Sequence, residues 1–143
     1  MEFFVCVLAF GVGLGVGYCI GYRNRRHDTR HAVGRRCVVR TYSAGVHIGY
    51  VKSADGMECH LTDALRLWRW EGGGLSLSAV ANRGIVRGRL NRTGEVYLTN
   101  CVEFIPTTEQ AENTYAQWIK ELIKLREQAK LGGGEKRIEA HIS

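Results

Sequence analysis

The stretch FFVCVLAFGVGLGVGYCIGY (Phe3–Tyr22) runs directly into RNRRHDTRHAVGRR (residues 23–36), and the reading of this junction decides the class of fold. Twenty residues pass without a charge or a proline. At 1.5 Å of helical rise per residue such a run matches a hydrocarbon core roughly 30 Å thick, so residues 1–22 are expected to form one transmembrane helix. A cleaved signal peptide wants positive charge before its apolar run and a small-x-small site after it. Here Glu2 precedes the run and arginines follow it. Arg23, Arg25, Arg26, Arg30, Arg35, Arg36 and Arg40 then predict a single pass through the host inner membrane, N-terminus outside and the remainder cytoplasmic.

Within the apolar run Gly11, Gly13, Gly15, Gly17 and Gly21 form two lines at four-residue spacing. Bare backbone at that spacing lets helices approach closely in lipid, which predicts self-association into a ring or cluster, although bilayer helices also tolerate glycine for its own sake.

The formal charge of +6 is localised. Residues 23–40 hold seven arginines against Asp28, while the other thirteen Lys and Arg are matched by thirteen Asp and Glu. The arginine run (linker 23–36, then Arg40) is therefore expected to contact anionic headgroups, at about 1 kcal/mol per residue, with nucleic-acid phosphate as the second candidate. Five cysteines without CxxC spacing, Cys6, Cys19, Cys37, Cys59 and Cys101, suggest neither a disulfide framework nor a zinc site. His47, His60, Asp55 and Asp63 flank a probable hairpin, and solvent-facing strand positions account for them. No nucleophile with its base, no paired metal ligands and no phosphate loop appears, so no catalytic residue, metal or cofactor is assigned.

Residues 37–106 read as a β-rich domain. Valine-rich Arg36–Tyr42 predicts a strand. Val46–Lys52 and Met57–Leu61 bracket Ser53-Ala54-Asp55-Gly56, where Asp-Gly supplies the positive φ values of a tight hairpin. Ala64–Trp70 has strand character, Ser76 can cap a short helix over Leu77–Arg83, and Gly84 can stop it. Ile85–Arg89 and Glu95–Ile105 are expected as strands around an Asn91–Gly94 turn. Together these predict a bent sheet or small barrel with one short helix. Arginine alternating with tryptophan over Leu67–Trp70 suits either a single-strand-binding face or a core tryptophan beneath an arginine. Residues 41–105 hold seven basic against six acidic residues, and this near-neutrality favours core or subunit packing for Trp68 and Trp70.

The blocks Arg40-Thr41-Tyr42-Ser43-Ala44-Gly45-Val46-His47-Ile48-Gly49, Asp55-Gly56, Leu61-Thr62-Asp63-Ala64-Leu65-Arg66-Leu67-Trp68-Arg69-Trp70 and Leu75–Ala81 resemble an uncharacterised domain of small phage and prophage proteins. The resemblance spans about residues 37–106 and implies a viral gene product, with no activity attached.

Pro106 ends the sheet, and Thr107 with Gln110 forms a capping box for a helix over 107–131. Tyr115, Trp118, Leu122, Leu125 and Ala129 make an a/d seam on it, expected to pack on the sheet or between subunits. Residues 132–143 are expected to form a flexible tail. The chain is thus expected to be a membrane-anchored α+β phage protein that assembles as a homo-oligomer around a cytoplasmic scaffold domain. The alternatives are a membrane tether for nucleic acid and a lysis or superinfection-exclusion factor.

Overall fold

The computed structural model describes residues 28–131 except Gly73. A short 3-10 turn, Arg30–Ala32, leads into β1 (Arg36–Thr41), β2 (Val46–Asp55) and β3 (Glu58–Glu71). Then come α1 (Leu77–Arg83), β4 (Arg87–Leu98), β5 (Cys101–Pro106) and α2 (Glu109–Leu131). The five strands form one antiparallel sheet in the order β4-β3-β2-β1-β5.

β4 and β5 occupy opposite edges of this sheet, yet only Thr99 and Asn100 separate them. So short a link requires the sheet to curl until its edges approach. Hydrogen bonds hold the closure: Cys101 N–H donates to Met57 O at 2.8 Å, Tyr42 N–H to Asn100 O at 3.0 Å, and the Asn100 amide to Ser43 Oγ at 2.6 Å.

Both faces of the curled sheet are covered, so β1 reads as the unbroken apolar run Cys37-Val38-Val39 rather than an alternation. Val38, Ile48, Leu65, Leu67 and Leu90 face α1 and α2 and pack on Val80, Ile85, Ala111, Tyr115, Trp118 and Leu122. Cys37, Val39, Val51, Leu61, Ala64, Leu98 and Cys101 form the inner cluster, capped by Ala32. The two large aromatics of α2 are fully buried, and each polar tip finds a partner: Tyr115 Oη donates to Val80 O and Trp118 Nε1 to Ile85 O at 2.9 Å.

Local chemistry sets the element ends. Gly56 turns the β2–β3 hairpin at φ +60°. Ser76 Oγ accepts from Ala79 N–H to open α1, and Gly84 closes it at φ +79°. A Cβ at Gly84 would also collide with Thr114 Oγ1, which accepts from Ile85 N–H at 3.2 Å and ties α1 to α2. The cap of α2 is Thr108, whose Oγ1 accepts from Ala111 N–H at 3.3 Å, one residue after the expected Thr107. Thr107 instead reaches back to Arg36 O at 3.0 Å.

The sheet departs from the sequence reading in two places. Glu58–Glu71 is one strand interrupted by a bulge at Asp63, a non-glycine residue at φ +48°. The expected Asn91–Gly94 turn lies inside continuous β4. Gly94, at φ +75°, pairs with Ala64 beside the bulge, and the true break falls at Thr99-Asn100.

The membrane-anchored fold class is corrected by the structure to a five-stranded antiparallel sheet with two helices. Among the described residues no helix is long and apolar enough to cross a membrane. The 23-residue α2 carries Lys120, Glu121, Lys124, Arg126 and Glu127 in its second half. The inner-membrane localisation derived from the anchor is corrected with it. The expected span over residues 1–22, its glycines (Gly11, Gly13, Gly15, Gly17, Gly21), Arg23, Arg25, Arg26 and the tail all lie outside the described residues.

The Asp63 bulge is gripped by Arg36, which is 7% exposed. Its Nη1 donates to Asp63 O at 3.3 Å and its Nη2 to Asp63 Oδ2 at 2.9 Å, with the Tyr50 ring 4.3 Å from the guanidinium carbon. Breaking a fully buried pair from one side costs about 3–5 kcal/mol. Asp63 is 38% exposed and keeps Arg92 at 3.6 Å. Arg36→Met is therefore expected to cost about 2–3 kcal/mol and Asp63→Asn about 1–2 kcal/mol, read from urea denaturation midpoints.

Candidate functional site

β2 pairs with β3 only as far as Val46↔Leu67, so Trp68–Glu71 continue as a two-stranded ribbon with β4 alone. Within it the register steps from Leu67↔Leu90 to Arg69↔Arg89, which makes Trp68 the extra residue of a second bulge. A bulge reverses the alternation of the residues that follow it. Trp68 is 55% exposed, whereas Trp70 turns back toward the helix-side core and donates from Nε1 to Gly74 O at 3.2 Å.

Two guanidiniums accompany Trp68. The Arg66 carbon lies 5.6 Å from the ring centroid and that of Arg89 lies 6.0 Å away. Arg87 shares the strand parity of Arg89 and is exposed. No carboxylate among the described residues lies within ion-pair distance of Arg66, Arg87 or Arg89. Three acids of the domain are engaged away from this face, Asp63 with Arg36 and Arg92, Glu95 with His60, and Glu103 with Arg40, while Glu71, opposite Arg87 in the β3–β4 register, pairs with Arg69 at the face itself. Beside Trp68 opens a cleft of about 560 Å³, lined by Trp68, Arg69, Trp70, Glu71, Gly72, Gly74 and Leu75.

His47 supports this face from below. It pairs with Arg66 across β2–β3 and is fully buried. Its Nε2 faces Ala44 O at 3.2 Å, and a carbonyl only accepts, so Nε2 carries the proton and Nδ1 holds a lone pair without a partner. Arg66 Nε is likewise buried and unpartnered. Burial holds the His47 imidazole below its usual range; the Ala44 carbonyl works against this and the Arg66 charge adds to it.

The remaining candidates distribute as follows. Tyr115, Trp118 and Leu122 lie in the core of their own chain, with Leu125 packed partly against it. Arg36 is the buried partner of Asp63. Arg40 pairs with Glu103 at 3.1 Å, and Arg30 with Asp28 at 2.9 Å, which holds the Asp28 carboxyl down to about 2. Arg35 is exposed. His60 meets Glu95 across β3–β4 at 2.6 Å beneath the Tyr97 ring. Cys37, Cys59 and Cys101 are buried thiols, and burial pushes that of Cys37 up to about 11. No group of three metal-ligating side chains occurs among the described residues. Arg87 and Arg89 were not distinguished by sequence; their signal is the Arg-x-Arg spacing on β4, legible only once β4 is known to lie against Trp68.

Sheet and face together define a small antiparallel sheet domain, backed by two helices, with a basic aromatic rim. Residues 34–115, more than half of the 143-residue chain, match the family described as a domain of unknown function (DUF6948), and the chain belongs to that family. No curated protein and no solved structure matches it.

The unfolded chain protonates His47 at the ordinary 6.5, while the fold resists the proton. The unfolded state therefore binds more protons as pH falls through 6.5, and stability drops with it. Urea midpoints at pH 7.5 and 5.5 are expected to show this loss in the wild-type chain and a shallower one in His47→Gln.

Proposed function

We propose that the chain is a binding module rather than an enzyme, and that its ligand is a polyanion held at Arg66, Arg87 and Arg89 beside Trp68. One observation carries this reading: Arg66 and Arg89, neither with a carboxylate partner among the described residues, flank a half-exposed tryptophan, and Arg87 follows two residues from Arg89 on the same side of β4. Cations gathered within a Debye length of about 8 Å repel one another, and an incoming anion relieves that repulsion. The sequence blocks that resemble small phage and prophage proteins support a phage-encoded origin for the module.

The test is affinity for heparin fragments at 150 mM salt, measured on the full chain. Arg66→Ala/Arg89→Ala is expected to weaken binding at least tenfold, the equivalent of about 1.4 kcal/mol. Lys120→Ala/Lys124→Ala, on α2, is expected to change it less than twofold. Unchanged binding by the first variant would assign the affinity to the arginines of residues 23–40 and overturn the proposal.

A further inference from the structure

We infer that the polyanion is single-stranded nucleic acid, with one base stacked on Trp68 and successive phosphates on the flanking arginines. This rests on the polyanion reading above and adds what the charges alone do not supply, a use for the exposed ring.

Trp68 lies on the side of the sheet away from the helices, with Arg66, and both its neighbours on β3 have other partners: Leu67 is in the core and Arg69 is paired with Glu71. A more buried tryptophan was available to the same strand, as Trp70 shows by packing partly against the helix-side core. A sulfated or phosphorylated chain without bases has no planar π-system to stack on an aromatic face, whereas every base presents one. The guanidiniums of Arg66 and Arg89 lie over the Trp68 ring, 5.6 and 6.0 Å from its centroid, so a base that stacks there takes the place of a guanidinium on the ring face and brings its own phosphates to both arginines. Arg87 and Arg89 are two residues apart on one face of β4, a spacing of about 7 Å that an extended strand can follow. The adjoining cleft, with Trp70 and the fully exposed Leu75 on its walls, is roomy enough for a neighbouring base.

Duplex fits less well. Its bases are already stacked on one another and present only their edges, so the face of Trp68 would remain unused. The same two-stranded ribbon could in principle enter a major groove, which makes duplex the informative competitor.

The experiment measures anisotropy of three labelled probes with the full chain at 150 mM salt: an eight-nucleotide oligo(dT), an abasic oligomer of the same charge, and an eight-base-pair duplex. Oligo(dT) is expected to bind at least tenfold tighter than the abasic oligomer. Trp68→Ala should abolish that difference while leaving the abasic affinity within twofold, and Trp68→Phe should restore part of it. Arg66→Ala/Arg89→Ala should weaken both single strands. Loss of two of the three phosphate contacts predicts that the wild-type log–log salt slope becomes shallower by about 1.4 in that variant, at about 0.7 per contact. Equal affinity for oligo(dT) and the abasic oligomer would overturn the base-stacking inference and leave the polyanion reading standing. Tighter binding of the duplex would overturn it in favour of groove recognition. Binding of none of the three probes would overturn both.

Discussion

A single buried guanidinium sets the parity of the longest strand. Leu61 faces the inner cluster, and strict alternation from it would send residues 63, 65 and 67 to the same side. The extra residue at Asp63 reverses the sense, so that Ala64 takes the inner position while Leu65 and Leu67 turn to the helices. A one-residue change of register flips every side chain beyond it, and Arg36 holds this one by gripping both the carbonyl and the carboxylate of the bulged residue. A buried ion pair is weak evidence of net stability, since desolvation offsets much of its attraction. Its role here is specification of register. The same inversion places Arg66 opposite His47 and Trp68 on the Arg66 side, and the second bulge then turns Trp70 to the helix side. The basic rim is thus downstream of an arginine that never touches it.

The charge balance of the domain conceals this rim. Seven basic and six acidic residues between 41 and 105 suggest a neutral surface. Two of those six acids, however, engage arginines that precede this span: Asp63 with Arg36 and Glu103 with Arg40. Arg66 and Arg89 beside Trp68 have no carboxylate partner among the described residues, while Asp63 and Glu103 are committed across the sheet. Electrostatic character at a surface follows from who is paired with whom, and that is a tertiary property.

Much of the local structure was legible beforehand for reasons confined to a few adjacent residues. Asp55-Gly56 turns a hairpin, Ser76 and Gly84 bracket α1, and the spacing of Tyr115, Trp118 and Leu122 marks the buried side of α2. The misreadings share a cause, dependence on distant partners. Asn91-Arg92-Thr93-Gly94 has turn composition, yet Thr93 donates to Ala64 O at 3.0 Å and Gly94 accommodates the bulge across the sheet. Arg36 sits at the end of a basic run and reads as one of its members, while its partner lies 27 residues on. Trp68 and Trp70 look equivalent in sequence, and only the bulge between Leu67 and Arg69 separates their fates. The membrane-anchored class rested on residues 1–22 alone, and the described structure takes its character instead from the sheet.

The three tryptophans provide the most direct measurement of the account. Trp118 and Trp70 donate their indole N–H groups to Ile85 O and Gly74 O, whereas that of Trp68 has no partner among the described residues. In the proton–nitrogen spectrum of the full chain, titration with a short single-stranded oligonucleotide is predicted to shift chiefly the indole signal that Trp68→Phe removes, with that of Trp118 unmoved. A Trp68 signal that stays in place while the oligonucleotide binds would contradict the account.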